Sequence, residues 1–303
     1  MKCDAVLIAG PTASGKSAAA LALAEHIGGV VINADSMQVY REAPILTAQP
    51  DAAARARVPH LLYGHVSARE VYSVGRYADD ARRALAQAHA MKKFPIFTGG
   101  SGLYFTALTE GLAQIPPIPA AVRAQARALL ADIGVEALHQ RLAARDPHTA
   151  AQLRPSDPQR VLRAYEVFEA TGRPLLHWQR ETGAPALGGL KLARFVLDPP
   201  RPLLRAAIAE RFTAMLDKGA LEEARMLADL EPALPAAKLL GLRPLTAFAQ
   251  GRLSRDEAIC EAVTATRQFA KRQMTWFRNR MADYVWLNPY SSNLITTFEP
   301  FSV

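Results

Sequence analysis

The stretch GPTASGKS, made up of Gly10, Pro11, Thr12, Ala13, Ser14, Gly15, Lys16 and Ser17, has the residue types and spacing of a loop that holds phosphate. Its glycines let backbone N–H groups curl round an anion, Lys16 brings a mobile positive charge, and Ser17 offers a hydroxyl to Mg²⁺. A helix starting at this point adds the positive end of its dipole. The loop therefore implies a phosphate ligand but not what is done to it, since triphosphate-cleaving enzymes and enzymes that expel a diphosphate need the same cradle.

Two further polar clusters follow apolar runs. VVINADSMQVY delivers Asp35, Ser36, Met37 and Gln38, and FPIFTGGSGLY delivers Gly99, Gly100, Ser101 and Gly102. A carboxylate at Asp35 can hold Mg²⁺ as in a phosphotransferase, accept a proton from a substrate nucleophile, or merely cap a helix. The glycines around Ser101 allow close approach of a large ligand to the backbone, with the Ser101 hydroxyl as a donor. Two basic clusters complete the set. In PSDPQRVLRAYEVFEATG, Asp157 caps a helix with Pro158 at its first position, so Gln159, Arg160 and Arg163 lie in its opening turns. In TRQFAKRQMTWFRNR, Arg267, Lys271, Arg272, Arg278 and Arg280 carry one sign of charge, interleaved with Phe269, Trp276 and Phe277. That pattern suits a helix that packs by its aromatics and turns its cations to a phosphate backbone.

These residues need a scaffold that brings separated segments to one edge. Apolar runs at residues 5–9, 30–34 and 94–98 alternate with helical patterns, which predicts an α/β fold with a parallel sheet and crossover helices. Ligands of such sheets sit beyond the carboxyl ends of the strands, which predicts Asp35 close to the loop of Gly10–Ser17. The prolines of IPPIPA and the glycines of TGAPALGGLK bracket a helical insertion at 115–190, leaving 1–114 and 191–303 as the core, with one more strand in LARFVLDPP.

Composition sets the outer bounds. The chain has 303 residues, 50% hydrophobic and 21% charged, as expected of a globular protein with a large core. Its net charge of +8 makes a polyanionic partner the first expectation. No apolar run approaches the ~18 residues that a membrane span requires, so no membrane partner is expected. MKCDAVLIAG reads as a buried strand and not as a signal peptide, so the expected location is the cytoplasm. Cys3 and Cys260 lack companions at metal-ligand spacing.

Taken together, GPTASGKS, NADSMQVY, GGSGLY, RDPHTAAQLRPSDPQRVLRAYEV, ERFTAMLDKGALEEAR and TRQFAKRQMTWFRNR resemble, in order, the motifs of the tRNA dimethylallyltransferases. Those enzymes prenylate N6 of the adenosine just 3′ of the anticodon. The resemblance implies a P-loop NTPase-like core carrying a helical tRNA-clamping insertion, and a loop that holds dimethylallyl diphosphate, not a nucleotide to be hydrolysed. It implies that Thr12 to Ser17 bind the diphosphate, with Gly10 and Pro11 in the same loop, that Ser17 places Mg²⁺, and that Arg211 is a second diphosphate ligand. It assigns Asp35 the N6 proton and gives Ser36, Met37, Gln38 and Ser101 the extruded base. Arg123 and Gln159, Arg160, Val161, Leu162 and Arg163 are assigned to the tRNA anticodon stem-loop, joined by Lys271 and Arg272 from the basic helix. A clamp of this kind requires no second copy, so a monomer is expected. A P-loop small-molecule kinase is the alternative reading, and it leaves both basic clusters idle. A non-catalytic RNA-binding module is a third, opposed by the intact Lys16, Ser17 and Asp35.

Overall fold

Every residue of the strand β1 (Ala5–Ala9) is buried, because it lies at the centre of a sheet covered on both faces. The fold described here is a computed structural model, and it describes residues 3–290. The other strands are β2 (Gly29–Asn33), β3 (His60–Leu61), β4 (Phe94–Gly99), β5 (Leu192–Leu197) and β6 (Val285–Leu287). All are parallel, in the order β3-β2-β4-β1-β5-β6. The short strands β3 and β6 extend the sheet beyond the four runs visible in the sequence. Val6 and Leu7 pair with Ile96 and Phe97 on one side of β1 and with Ala193 and Arg194 on the other. From β1 the chain crosses to β2 on one side and later enters β5 on the other, opening a crevice at the carboxyl ends of the central strands.

Alternation along β1 divides the core. Val6 and Ile8 pack with Ala19, Ala20, Leu23 and Ala24 of the helix Lys16–Ile27. Leu7 and Ala9 face the opposite layer, where Tyr77, Phe105, Phe212 and Phe277 come from four other helices. Three of the helices that matter for the site are Gly102–Thr109, Arg201–Asp217 and the 26-residue Arg255–Arg280. The last opens with a capping box, in which Ser254 accepts from Glu257 N and Glu257 accepts from Ser254 N.

Glu110–Pro185 forms a second compact unit with its own small core of Ile118, Leu142, Ala150, Ala164, Val167 and Leu175. Its longest helix, Ala120–Arg145, is interrupted at Gly134, where φ is +78°. The helix Pro158–Thr171 begins on the Asp157 cap, whose carboxylate accepts from Arg160 N at 3.1 Å. The unit starts and ends earlier than the prolines and glycines suggested. An antiparallel bridge between Ala113 and Thr182, flanked by a Gly183 N to Leu112 O bond of 2.8 Å, ties its entry to its exit.

Candidate active site

Between the end of β1 and the helix Lys16–Ile27 the backbone makes a tight anion-type turn. Gly15 stands at φ +82° as the residue before the helix, and Ala13 is also left-handed at φ +63°, a conformation that costs a non-glycine residue on the order of 1 kcal/mol. Residues Thr12, Ala13, Ser14, Gly15, Lys16 and Ser17 line a cleft of about 290 Å³, together with Asp35, Gln38, Thr47 and Arg211. Gly10 and Pro11 lie behind it. Gly10 N donates to Gly99 O at 3.3 Å, and Pro11 O accepts from Lys16 Nζ at 3.2 Å. Ser14 Oγ is buried with no hydrogen-bond partner among the described residues, close against Gly10.

Lys16 is only 7% exposed. Burial pulls its ammonium down to about 8 from an ordinary 10.5; the Asp35 carboxylate works against that fall, and the Arg211 guanidinium adds to it. Burial also lowers Arg211, with Asp35 opposing. Arg211 donates to the Thr12 hydroxyl. Two cations and one carboxylate thus share a cleft floored by loop amides, an arrangement that can hold a multiply charged anion beside a proton acceptor.

Asp35 leaves β2 in a tight turn. Its own N–H donates to Asn33 Oδ1 at 2.8 Å, and its carboxylate accepts from Met37 N at 3.0 Å and Gly100 N at 3.2 Å. No helix follows, so the capping alternative is set aside. Buried Asn33 completes the brace, with Nδ2 donating to Asp35 O and Leu62 O. The Ser101 hydroxyl accepts from Ser36 N at 2.8 Å and donates to Ser36 Oγ at 2.9 Å, which locks the exits of β2 and β4 together. Gln38 is spent on the loop opposite, donating to Thr47 O and Ala48 O. Met37 and Asp35 reach a smaller apolar recess continuous with the cleft, walled by Leu46, Ile208, Phe212 and Met215.

The glycines at and after the end of β4 make room for the protein itself, which corrects the expectation that a ligand takes that space. A Cβ on Gly99 would fall 2.0 Å from Ala34 O, one on Gly100 2.2 Å from Gln273 Nε2, and one on Gly102 2.3 Å from the Trp276 ring.

The basic residues fall on two units. Lys271 joins Arg201, Arg205, Arg267 and Arg278 round a cavity of about 490 Å³ between the helices Arg201–Asp217 and Arg255–Arg280. Arg272 lies over the Phe269 ring at 5.8 Å. In space the charge is not all of one sign, because Asp198 stands 3.5 Å from Arg278. In the helical unit Arg123, Gln159 and Arg160 are exposed and Arg163 is partly so. Arg160 and Arg163 each have an acidic neighbour one turn along, Asp157 at 3.6 Å and Glu166 at 3.8 Å. Val161 is fully buried and Leu162 half-buried. The expectation that the Val161 side chain meets RNA is corrected, since it lies on the helix face turned into that unit's interior.

A Mg²⁺ ion would find hard oxygen donors here, the Ser17 hydroxyl and the Asp35 carboxylate on one cleft. Among the described residues no group of three or more His, Cys, Asp or Glu is arranged to hold a metal, so the donor set suits an ion carried mainly by phosphate oxygens and water. No helix among the described residues is long and apolar enough to cross a membrane.

The family model described as IPP transferase matches residues 38–280, most of the chain. The chain belongs to the IPP transferase family. It is 53% identical over 288 residues to the tRNA dimethylallyltransferase of Nitrobacter hamburgensis, covering 94% of this chain and 91% of that one. It is also 53% identical to that of Azorhizobium caulinodans, covering 94% and 92%. Among solved structures, the tRNA isopentenylpyrophosphate transferase of Bacillus halodurans superposes with a TM-score of 0.68 at 30% identity, over 98% of this chain and 95% of that one. A eukaryotic dimethylallyltransferase acting on tRNA gives 0.79 at 26% identity, over 97% and 75%.

For this IPP transferase, two residues that shape the cleft and two that line the basic cavity lay outside the sequence reading. Gln273 is 6% exposed within the most cationic helix and bonds to both the phosphate-type loop and Gly100. Glu223, 4% exposed, accepts from Ile45 N and Leu46 N at 2.8 Å each and so shapes the wall carrying Leu46 and Thr47; burial raises its carboxyl, and the two amides partly offset that. Arg201 and Arg205 add to the basic cavity from the helix Arg201–Asp217. The one available signal for Gln273 was an uncharged amide directly beside the cations Lys271 and Arg272.

Proposed function

We propose that this chain transfers a dimethylallyl group from dimethylallyl diphosphate to N6 of the adenosine 3′-adjacent to the anticodon in tRNA, releasing diphosphate. The observation that carries the reading is the single cleft shared by the loop Thr12–Ser17, Lys16, Arg211 and Asp35 in a member of this family. In the reaction the N6–C1 bond forms as the C1–O bond to diphosphate breaks, and the amine proton must leave. Lys16, Arg211 and the loop amides stabilise the charge growing on the leaving group, the role that preorganised donors play best in a water-poor site. Asp35, held by Met37 N and Gly100 N, accepts the N6 proton. The recess of Met37, Leu46, Ile208 and Phe212 takes the five-carbon chain. Ser17 would hold a Mg²⁺ ion, which would supply further neutralisation of the diphosphate.

Ser101 positions the base indirectly, through the Ser36 loop it braces. The adenosine must be splayed out to reach the cleft, which costs least from a single-stranded loop. The tRNA phosphates are met by Lys271 and Arg272 on the catalytic unit, and by Arg123, Gln159, Arg160 and Arg163 on the helical unit. We read the enzyme as cytoplasmic, in keeping with a tRNA substrate. One chain carries every residue of the cleft, in keeping with a monomer. The test is incubation with tRNA and either dimethylallyl diphosphate labelled in its prenyl group or γ-labelled ATP. Prenyl label in tRNA is the expected result, and transfer of the γ-phosphate without it would replace this reading with a kinase.

A further inference from the structure

We propose that Gln273 is a positioning residue of the transfer reaction, and that its carboxamide sets the spacing between the leaving-group loop and the carboxylate that takes the proton. The proposal rests on the reading of Lys16 and Asp35 given above. Its basis is a run of hydrogen bonds across three segments far apart in the chain. Thr12 N donates to Gln273 Oε1 at 2.9 Å, Gln273 Nε2 donates to Gly100 O at 2.8 Å, and Gly100 N donates to Asp35 Oδ2 at 3.2 Å. One side chain thereby joins the loop after β1 to the loop after β4, whose next peptide group holds Asp35.

The chemistry at position 273 admits few substitutes. The backbone N–H of Thr12 can only donate and the carbonyl of Gly100 can only accept, so the group between them must accept at one end and donate at the other. A primary amide does both, in one orientation. A carboxylate satisfies Thr12 and leaves Gly100 O facing an anion, while a thioether satisfies neither. The site is close-packed round the amide: a Cβ on Gly100 would fall 2.2 Å from Nε2 and 3.0 Å from Asp35 Oδ2. With Gln273 only 6% exposed, water is poorly placed to substitute for either bond. Displacing Asp35 or the loop by a fraction of an ångström misaligns the attacking amine, its proton acceptor and the leaving group, and errors of about 1 Å cost on the order of a hundredfold in rate.

Gln273→Met and Gln273→Glu separate this role from simple support of the fold. Single-turnover transfer is measured at saturating tRNA and dimethylallyl diphosphate from pH 6 to pH 8, alongside thermal melting and tRNA affinity. We expect Gln273→Met to transfer about ten- to a hundredfold more slowly at every pH, with tRNA affinity within about twofold of wild type because the amide lies beneath the exposed basic face. Gln273→Glu should be at least as slow at pH 8 and recover several-fold relative to wild type towards pH 6, because a protonated carboxyl both accepts from Thr12 N and donates to Gly100 O. Asp35, Lys16 and Arg211 are present in all three proteins, and Gln273→Met, which adds no charge that could shift them, is the reference for the pH dependence. If Gln273→Met fails to fold, the pH dependence of the ratio of Gln273→Glu to wild type decides alone. A Gln273→Glu ratio independent of pH, or Gln273→Met rates within about twofold of wild type, overturns the positioning role. Absence of transfer by the wild-type protein instead overturns the assigned reaction, and this proposal with it.

Discussion

Replacing Lys16 by Met should stabilise the free protein while disabling the reaction. The ammonium is 7% exposed, and burial holds it at about 8 instead of 10.5. At about 1.4 kcal/mol per pH unit, that gap is a cost of about 3 kcal/mol for keeping the charge in the folded state. Below pH 8 the lysine is protonated in both folded and unfolded chains, and the folded protein bears the whole cost. Between about 8 and 10.5 the folded protein gives up its proton while the unfolded chain keeps it, so wild-type stability rises with pH across that window. Lys16→Met never carries the charge. Urea unfolding should therefore show the variant more stable by up to about 3 kcal/mol at pH 7, less the single bond to Pro11 O, with the advantage shrinking towards pH 10.5. Transfer should fall by about 10²- to 10³-fold, the usual loss for one preorganised donor to developing charge. A variant less stable than wild type at pH 7, or a stability difference flat with pH, would refute the argument that this lysine is held charged against its solvation.

Asp35→Asn keeps the turn but cannot take a proton, so single-turnover transfer should drop by about 10²- to 10⁴-fold while tRNA affinity holds; rescue by excess Mg²⁺ would recast Asp35 as a metal ligand. Affinity for the diphosphate substrate should weaken as pH rises above about 8, where Lys16 loses its charge, and calorimetric titrations that stay flat to pH 10 would contradict this. Replacing Lys271 and Arg272, or Arg160 and Arg163, by Ala should reduce the slope of log tRNA affinity against log salt by about 0.7 per lost phosphate contact, and an unchanged slope would show that the pair does not meet tRNA phosphates. Glu223→Ala leaves the amides of Ile45 and Leu46 without their acceptor, so denaturant unfolding should register a loss of about 2 to 6 kcal/mol, at roughly 1 to 3 for each orphaned donor.

Much of this protein was settled within a few residues of chain. The loop Gly10–Ser17 could be recognised because a strand, a glycine turn and a helix start are each fixed by local backbone sterics and side-chain periodicity, and the four long strands and the Asp157 cap were legible for the same reason. β3 and β6, of two and three residues, carry too few side chains to show a period, and they exist because a neighbouring strand offers them a ladder. The helical repeat placed Arg160 and Arg163 on one helix with Val161, but which face turns inward depends on the packing of the helical unit, and that packing buries Val161. The site's finer construction was decided only in three dimensions. The Ser101 hydroxyl, the glycines after β4 and Glu223 all serve partners that the sequence does not bring near them. Gln273 bonds Thr12 from 261 positions away. No local rule reaches that far: whether a buried amide finds a donor and an acceptor depends on where the sheet's strand order and the packing of the helix Arg255–Arg280 bring two loops together. The sequence alone determined that a phosphate-type loop would form and where; the tertiary structure decided which side chains stand across from it.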